Sequence, residues 1–471
     1  MTDSPHVTSA PGKPLLLVGA FDIGSLGYLA EEFFISGTAS SYTSATELSP
    51  DGRWSVTCCD TADYTTRIVV LTPADRARFN GTVLVEWLNV SGGIDAPAVW
   101  MMAHREIVRA GYGYVAVSAQ RVGVAGGASL LGVDMSLKSH DPTRYAPLQH
   151  PGDAFSYGIF SQIGGLVKSA EHVDVLGGLR AQHVVALGES QSAMFLTTYI
   201  NAVDELAQIY DGFLVHSRFG SAAPLDDSSI FEEQQISIPQ AVTFRTDLRV
   251  PLVAIITETD LFGAVRHGYY FARQPDNQRL RVWEIPGAAH ADNYTIQVAP
   301  IDSGSAPLED IVVAYAPTNM LMGQQLGHCI NFAPQHHYVV QAALAALNTW
   351  VRTGEPAPEA APIEVREAAQ PQPILDSNGL AQGGVRTPWV DVPIARTSGI
   401  GAEESIMSAI FGSGELFDAD SLRRLYPGGL AEYLERFTTA LDAAIGSGFV
   451  LPADRAEILQ LAAATYPGGQ S

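Results

Sequence analysis

The chain has 471 residues, of which 46% are hydrophobic and 16% are charged, and this balance is ordinary for a globular protein. A formal charge of −23 argues against a basic face for nucleic acid or anionic lipid, and it slightly disfavours anionic substrates. The three cysteines, Cys58, Cys59 and Cys329, lack zinc-site spacing, and adjacent cysteines are poor partners for each other. They favour free or buried thiols in a reducing compartment.

The N-terminus and the apolar runs bear on location. Met1–Ala10 is polar and lacks the basic-then-apolar pattern of a signal peptide. The longest apolar runs, such as Leu15–Val18 and Leu252–Ile256, are strand-sized, whereas a membrane span needs about 20 residues. We therefore expect a cytoplasmic protein without a membrane span.

Strand-like and helical patterns alternate through the first two thirds of the chain. Helices are predicted over 97–110, where Gly111 is a candidate C-cap, and over 162–176 and 191–203. The alternation predicts an α/β fold with a mostly parallel sheet and helices on both faces. The predicted strands are Thr66–Leu71, Thr82–Trp87, Tyr114–Val117, His183–Leu187, Gly212–His216, Leu252–Thr257 and Leu280–Ile285.

Two irregular stretches, 217–248 and 291–323, interrupt this alternation. Loops of such length are commonly functional lids or disordered segments, and both would lie near the carboxyl ends of the strands. They are therefore candidate lid insertions.

The character of the chain changes after Trp350. Residues 354–373 are rich in Pro, Ala and Glu, 376–400 carry many turn residues, and helices are predicted over 431–444 and 453–464. We expect residues 355–471 to be a C-terminal extension packed on the core, within a single unit that spans 1–471.

The stretch HVVALGESQSAMFLTT predicts a strand, a sharp turn at Ser190 and a helix. This context is typical of a nucleophile elbow, in which small residues are needed two positions before and after the serine. Gly188 meets the first requirement, whereas Ser192 stands where the common pattern has glycine. The alternative is a serine that only caps a helix.

A candidate base and two candidate acids follow the serine in the chain. The strand in RVWEIPGAAH delivers His290, which can accept the serine proton and return it to a leaving group. The strand in VPLVAIITETD ends at Glu258 and Asp260, either of which can orient the imidazole. The order serine, acid, histidine is that of α/β-hydrolases. We favour Asp260 as the acid and keep Glu258 open.

Two backbone N–H groups are expected to bind the oxyanion. One is that of Gln191, and the other belongs to the loop after Thr82–Trp87, near Asn89 or Val90. The alternative for that loop is a glycine-rich turn. Three further side chains are candidates for the pocket, although a structural role is the stronger interpretation of each: Gln120, Asp153 and Tyr157.

The sequence resembles a bacterial family of uncharacterised "alpha/beta hydrolase domain" proteins, regarded as esterases. Matching stretches run nearly end to end and include VLVEWLNVSGG (83–93), HPGDAFSYGIFSQ (150–162), LGESQSA (187–193), TETDL (257–261), PGAAH (286–290) and GGVRTPWVDVPIA (383–395). The resemblance implies an α/β-hydrolase fold, a serine–acid–histidine triad and no cofactor. One departure is Gly158, where an aspartate is expected after Tyr157.

The motifs together predict a serine hydrolase that cleaves a small-molecule carboxylic ester. The alternatives are an acyltransferase, a lactonase or a lyase at the same site, and a catalytically silent binding protein. A metal hydrolase is disfavoured because the sequence has no HExxH, and the adjacent His336 and His337 suit a helix start better than one ion. A homo-oligomer stays open.

Overall fold

The computed structural model describes residues 4–169, 174–231, 238–264, 266–367, 369–402 and 405–467. Its main feature is a nine-stranded sheet. In chain order the strands are β1 His6–Ser9, β2 Tyr28–Ser44, β3 Val56–Pro73, β4 Thr82–Trp87, β5 Gly113–Val117, β6 His183–Glu189, β7 Gly212–His216, β8 Leu252–Thr257 and β9 Leu280–Ile285.

The strand order across the sheet is β1-β2-β3-β5-β4-β6-β7-β8-β9. Six adjacent strands, β5-β4-β6-β7-β8-β9, pair in parallel. At one edge, β1, β2 and β3 extend the sheet through antiparallel pairing. Apolar β-branched runs with almost no exposed residue explain the central strands, since a parallel sheet is covered on both faces. The predicted mostly parallel sheet is confirmed.

Helices cover both faces of the sheet. The first and ninth helices pack in one apolar core, and the fourth and fifth pack in the other. The helices of the described ranges are α1 Ala98–Ala110, α2 Arg121–Ala125, α3 Leu137–His140, α4 Ser156–Lys168, α5 Gln191–Thr198, α6 Asp204–Ala207, α7 Glu258–Phe262, α8 Leu308–Ala314, α9 Gln335–Thr353, α10 Pro388–Asp391, α11 Ile406–Phe411, α12 Ala419–Leu425, α13 Gly429–Gly446 and α14 Arg455–Thr465.

Most predicted elements agree with the observed bounds. Helix α1 ends at Gly111, which has φ +74° and closes the helix as a left-handed cap. The helix predicted over 162–176 is wrong in its bounds, because α4 begins at Ser156 and ends before Ser169, whose backbone is extended. Val175 and Leu176 are buried as the periodicity requires, but they lie in a turn rather than in the helix.

The C-terminal extension has its own small core, formed mainly by α12, α13 and α14. It is tied to α1 by two ion pairs, from Arg105 to Glu457 and from Arg109 to Asp454, each with an N–O distance of 2.6 Å.

In the described part of the chain, no helix has the length and apolarity needed to cross a bilayer. Three short strand pairs complete the fold: β10 Met320–Leu321 with β11 Gln324–Gln325, β12 Val365–Arg366 with β13 Gln372–Pro373, and β14 Ala395–Ser398 with β15 Ser413–Leu416.

Candidate active site

Ser190 occupies the turn between β6 and α5. Its backbone lies at φ +56°, ψ −115°, a region that residues other than glycine rarely adopt. A Cβ at Gly188 would lie 2.9 Å from the Ser192 carbonyl oxygen, so this position has little room for a side chain. Ser192 Oγ accepts from the Glu189 N–H at 2.9 Å and donates to the Glu189 carbonyl at 2.8 Å. The serine at the usual glycine position therefore braces the turn.

His290 follows β9 and reaches the same edge of the sheet as Ser190. Its Nε2 lies 2.7 Å from Ser190 Oγ, and its Nδ1 lies 2.6 Å from Asp260 Oδ1. The His290 N–H donates to Thr259 Oγ1 at 3.0 Å, and the Phe219 ring stacks on the imidazole at 5.2 Å between centroids. The three side chains form an unbroken chain of hydrogen bonds through which a serine proton can pass to an imidazole.

The two candidate acids, Asp260 and Glu258, have different partners. Asp260 contacts His290 with one oxygen and accepts with the other from the Thr257 N–H at 2.8 Å and the Thr257 hydroxyl at 2.7 Å. Glu258 accepts instead from the N–H groups of Gly287 and Gly399, and a third hydrogen bond comes from the hydroxyl of Ser398. Only Asp260 of this pair is in a position to orient the imidazole.

Charges around His290 favour its protonated form. Burial is the largest single effect and opposes that form, but the charge and hydrogen bond of Asp260 together with the charge of Glu189 outweigh it, so the pKa of His290 is raised above its ordinary value. Glu189 Oε1 lies 3.8 Å from His290 Nε2. Burial raises the pKa of Glu189 to about 7, against smaller opposing effects of His290 and Asn89. Each of the two groups therefore affects the pKa of the other.

The predicted oxyanion donors are not equally free. The N–H of Gln191 is the first of α5 and has no acceptor within the helix. The Asn89 N–H donates to the Ala96 carbonyl at 3.0 Å, which occupies it. The Val90 N–H donates to the side-chain oxygen of Gln191 at 3.2 Å, a long bond. Of these two loop N–H groups, that of Val90 is the one that would become free if the Gln191 side chain moved slightly.

The Asn89 side chain supports the elbow in another way. Its Nδ2 donates to the Glu189 carbonyl at 3.1 Å and to Glu189 Oε2 at 2.9 Å. Glu86 holds the other end of the same loop by accepting from the first N–H groups of α1, those of Val99 and Trp100. The loop that carries Val90 is thus anchored at both ends.

The three candidate pocket residues lie behind the site rather than in it. Gln120 Oε1 accepts from Gln191 Nε2 at 2.6 Å and from Trp87 Nε1 at 3.1 Å, and Gln120 Nε2 donates to Asp153 at 3.3 Å. Tyr157 is buried, and its hydroxyl donates to a backbone carbonyl. These residues position Gln191 and fill the core.

Gly158 lies where α4 crosses β2. A Cβ at this position would be 2.4 Å from the Ser40 carbonyl oxygen and 2.9 Å from its backbone nitrogen. Because no side chain fits this contact, the aspartate expected there from the resemblance would push the helix away from the sheet. The departure therefore concerns the packing of α4.

A cavity of about 290 Å³ opens onto Ser190 and His290. Its walls come from the elbow, from the loop after α2, from 219–231, from the turn after α7 and from α11 of the C-terminal extension. Among the described residues, none of its lining belongs to 291–323, whose Tyr294 and Val298 pack in the core with α1. The lining residues are Ser91, Ser129, Leu130, Ser190, Gln191, Met194, Phe219, Ile230, Phe231, Arg266, His290 and Ile410.

Sequence reasoning missed several of these residues. Glu189 precedes the nucleophile directly, and its place at the end of a buried strand could have drawn attention to it. Arg266 and Ile410 lie far along the chain from any motif, so no local signal predicts them. In the described ranges, no group of three or more His, Cys, Asp or Glu side chains is arranged to hold a metal ion.

Solved structures that are similar to the chain are remote in sequence. A glucuronoyl esterase from Solibacter usitatus is 11% identical over 60% of this chain and 80% of its own, with a TM-score of 0.30. An esterase from Pyrococcus furiosus is 11% identical over 57% of this chain and 87% of its own, with a TM-score of 0.31. No curated protein matches the chain significantly. The model of a family described as alpha/beta hydrolase domain matches residues 2–460, and the chain therefore belongs to that family.

Proposed function

We propose that the protein is a serine hydrolase that cleaves a carboxylic ester through an acyl-enzyme. The observation that carries the proposal is the hydrogen-bond chain from Ser190 through His290 to Asp260, with distances of 2.7 and 2.6 Å, at the floor of a cavity. Membership of the alpha/beta hydrolase domain family supports a hydrolase in general.

In the first half of the reaction, Ser190 Oγ attacks the ester carbonyl carbon while its proton passes to His290 Nε2. Asp260 accepts the Nδ1 proton in a hydrogen bond, which keeps the imidazole in the tautomer whose Nε2 is free to act as a base. The imidazolium then protonates the departing alkoxide, and the acyl group stays on Ser190.

In the second half, water replaces the alcohol as the nucleophile. His290 takes a proton from the water as its oxygen attacks the acyl carbon, and it returns that proton to Ser190 Oγ as the carboxylic acid leaves. The stacked Phe219 ring and the buried Asp260 hold the imidazole in place for both halves.

The negative charge on the carbonyl oxygen requires donors. The Gln191 N–H is the first, and the Val90 N–H is the second once the Gln191 side chain turns away from it. One such donor is typically worth about 3 kcal/mol in the transition state. Gln191 Nε2 donates to Gln120, and the Gln191 side chain can keep this hydrogen bond as it rotates away from Val90.

The test is hydrolysis of 4-nitrophenyl esters of short to long acyl chains by the wild-type protein and by Ser190→Ala. We expect turnover by the wild type and a loss of more than about a thousandfold in the variant, with an unchanged melting temperature. Labelling by a fluorophosphonate should require Ser190. Substantial activity in Ser190→Ala would exclude an acyl-enzyme at this residue.

The same experiment separates the alternatives. A lactonase or an acyltransferase would also be labelled at Ser190, and product analysis with lactones or with added alcohols distinguishes them from a simple esterase. A lyase would retain turnover of its substrate after the serine is removed, because it forms no acyl-enzyme.

A further inference from the structure

Among the described residues that line the cavity, Arg266 alone has a permanently charged side chain. Its Nη2 donates to the Ile230 carbonyl at 2.6 Å. Within the described ranges it forms no ion pair, whereas Arg249 and Arg273 lie 2.7 and 2.6 Å from carboxylates. Burial lowers the pKa of Arg266, because the protein groups around it do not replace the water that hydrates an exposed guanidinium.

Arg218 is a second arginine that forms no ion pair within the described ranges, but its surroundings differ from those of Arg266. Arg218 is fully buried, and its guanidinium donates to the carbonyls of Phe219, Gly220 and Val242 while it lies over aromatic rings. Backbone carbonyls thus accept from Nε and Nη2 of that cation, whereas its buried Nη1 has no hydrogen-bond partner among the described residues. Arg266 has one described backbone acceptor, for its Nη2, and it lines the cavity that opens onto Ser190.

Two contacts anchor the backbone that follows Arg266. The turn follows α7, the helix that carries Asp260, and the Gly220 N–H pins it by donating to the His267 carbonyl at 2.8 Å. A Cβ at Gly268 would lie 2.4 Å from the Leu261 carbonyl oxygen, so the turn packs directly on the helix. Arg266 is therefore placed by the same element as the acid.

We propose that Arg266 binds an anionic group of the substrate, and that the protein prefers esters that carry a carboxylate to neutral esters of the same size. The inference rests on the proposed ester hydrolysis at Ser190. A guanidinium recognises carboxylates through paired, charge-assisted hydrogen bonds. Leu130, Met194 and Phe219 line the same cavity, so the part of the substrate between ester and anion is apolar. A local cation in an acidic protein gives this site its selectivity for anions.

The test compares matched substrates. On the acyl side the pair is 4-nitrophenyl hexanoate and mono-4-nitrophenyl adipate, which have acyl chains of equal length. On the alcohol side the pair is 4-ethylphenyl acetate and 4-(carboxymethyl)phenyl acetate, whose substituents contain the same number of carbon atoms. We expect one anionic member to have the higher kcat/KM, and the pair that shows the preference identifies the side of the ester that faces Arg266.

Two variants of equal charge change provide the control. Arg266→Gln should lower kcat/KM for the preferred anionic ester by about tenfold or more and leave its neutral partner unchanged, because a charge-assisted contact is lost. Arg279→Gln removes an exposed arginine away from the cavity and should change neither. Equal activity toward both members of each pair, or an equal loss with both in Arg266→Gln, would overturn the inference.

A binding measurement keeps this inference separate from the proposed function. Ser190→Ala should bind adipic acid monoamide more tightly than hexanamide in calorimetry, and the added Arg266→Gln change should abolish the difference. If Ser190→Ala still hydrolyses esters, the proposed function fails whatever the binding shows. If the amides bind equally well and neither ester pair shows an anionic preference, the role of Arg266 fails while the serine mechanism stands.

Discussion

Two neighbouring carboxylates contact two different regions of the molecule, the imidazole of His290 and the C-terminal extension. Asp260 and Glu258 lie on one short helix, α7, and both are almost completely buried. Asp260 faces the imidazole, whereas Glu258 accepts hydrogen bonds from Ser398 and Gly399 of the extension and from Gly287 before His290. One carboxylate contacts the imidazole beside Ser190, and the other joins the extension to the loop that carries His290.

The comparison shows that a place on this helix does not by itself decide what each carboxylate contacts. Two residues of separation turn the carboxylates in different directions, and the partner found in each direction decides what the charge does. The extension is therefore part of the site, since Thr259 also donates to the Gly399 carbonyl while its oxygen accepts from the His290 N–H. Four substitutions break or sharpen this comparison.

The largest effect is expected at Asp260. Asp260→Asn keeps the size of the side chain but removes the charge that stabilises the imidazolium and selects its tautomer. We expect kcat to fall by about a thousandfold or more, with ester hydrolysis as the assay. A fall of less than about tenfold, in a variant whose melting temperature is unchanged, would show that the acid has been misplaced.

Glu258→Gln should instead affect mainly stability. The amide cannot accept all three hydrogen bonds, and one of its N–H groups would face a donor. We expect a loss of about 2–3 kcal/mol in the free energy of unfolding, measured by urea denaturation, and a smaller fall in kcat than in Asp260→Asn. Ser398→Ala should lose about 1 kcal/mol in the same direction. A large loss of activity at full stability in Glu258→Gln would reverse the two roles.

The smallest effect is expected at Glu189. Its carboxylate raises the pKa of His290, and His290 must be neutral to accept the serine proton. Glu189→Gln should therefore move the acid limb of the kcat/KM profile to lower pH. The plateau should change by no more than about tenfold, because the amide oxygen can still accept from Asn89. The measurement is a pH profile with a neutral ester, and an unmoved or upward-shifted acid limb would contradict the prediction.

Much of this architecture follows from local patterns. Apolar β-branched runs predict the central strands, and the family match and the observed sheet confirm the fold class. The helix over 162–176 was misplaced because Val175 and Leu176 satisfy a helical period while lying in a turn. Periodicity reports burial, and a turn can bury the same side chains as a helix.

The sequence by itself determined which serine, histidine and carboxylates follow the predicted strands, because each motif is local and the ends of parallel strands meet at one edge. Only the tertiary structure decided that Asp260 rather than Glu258 contacts His290, that the Asn89 N–H is bonded within its own loop while the Val90 N–H contacts Gln191, and that Arg266 and Ile410 reach the cavity. These outcomes depend on contacts between segments far apart in the chain, which no local pattern encodes.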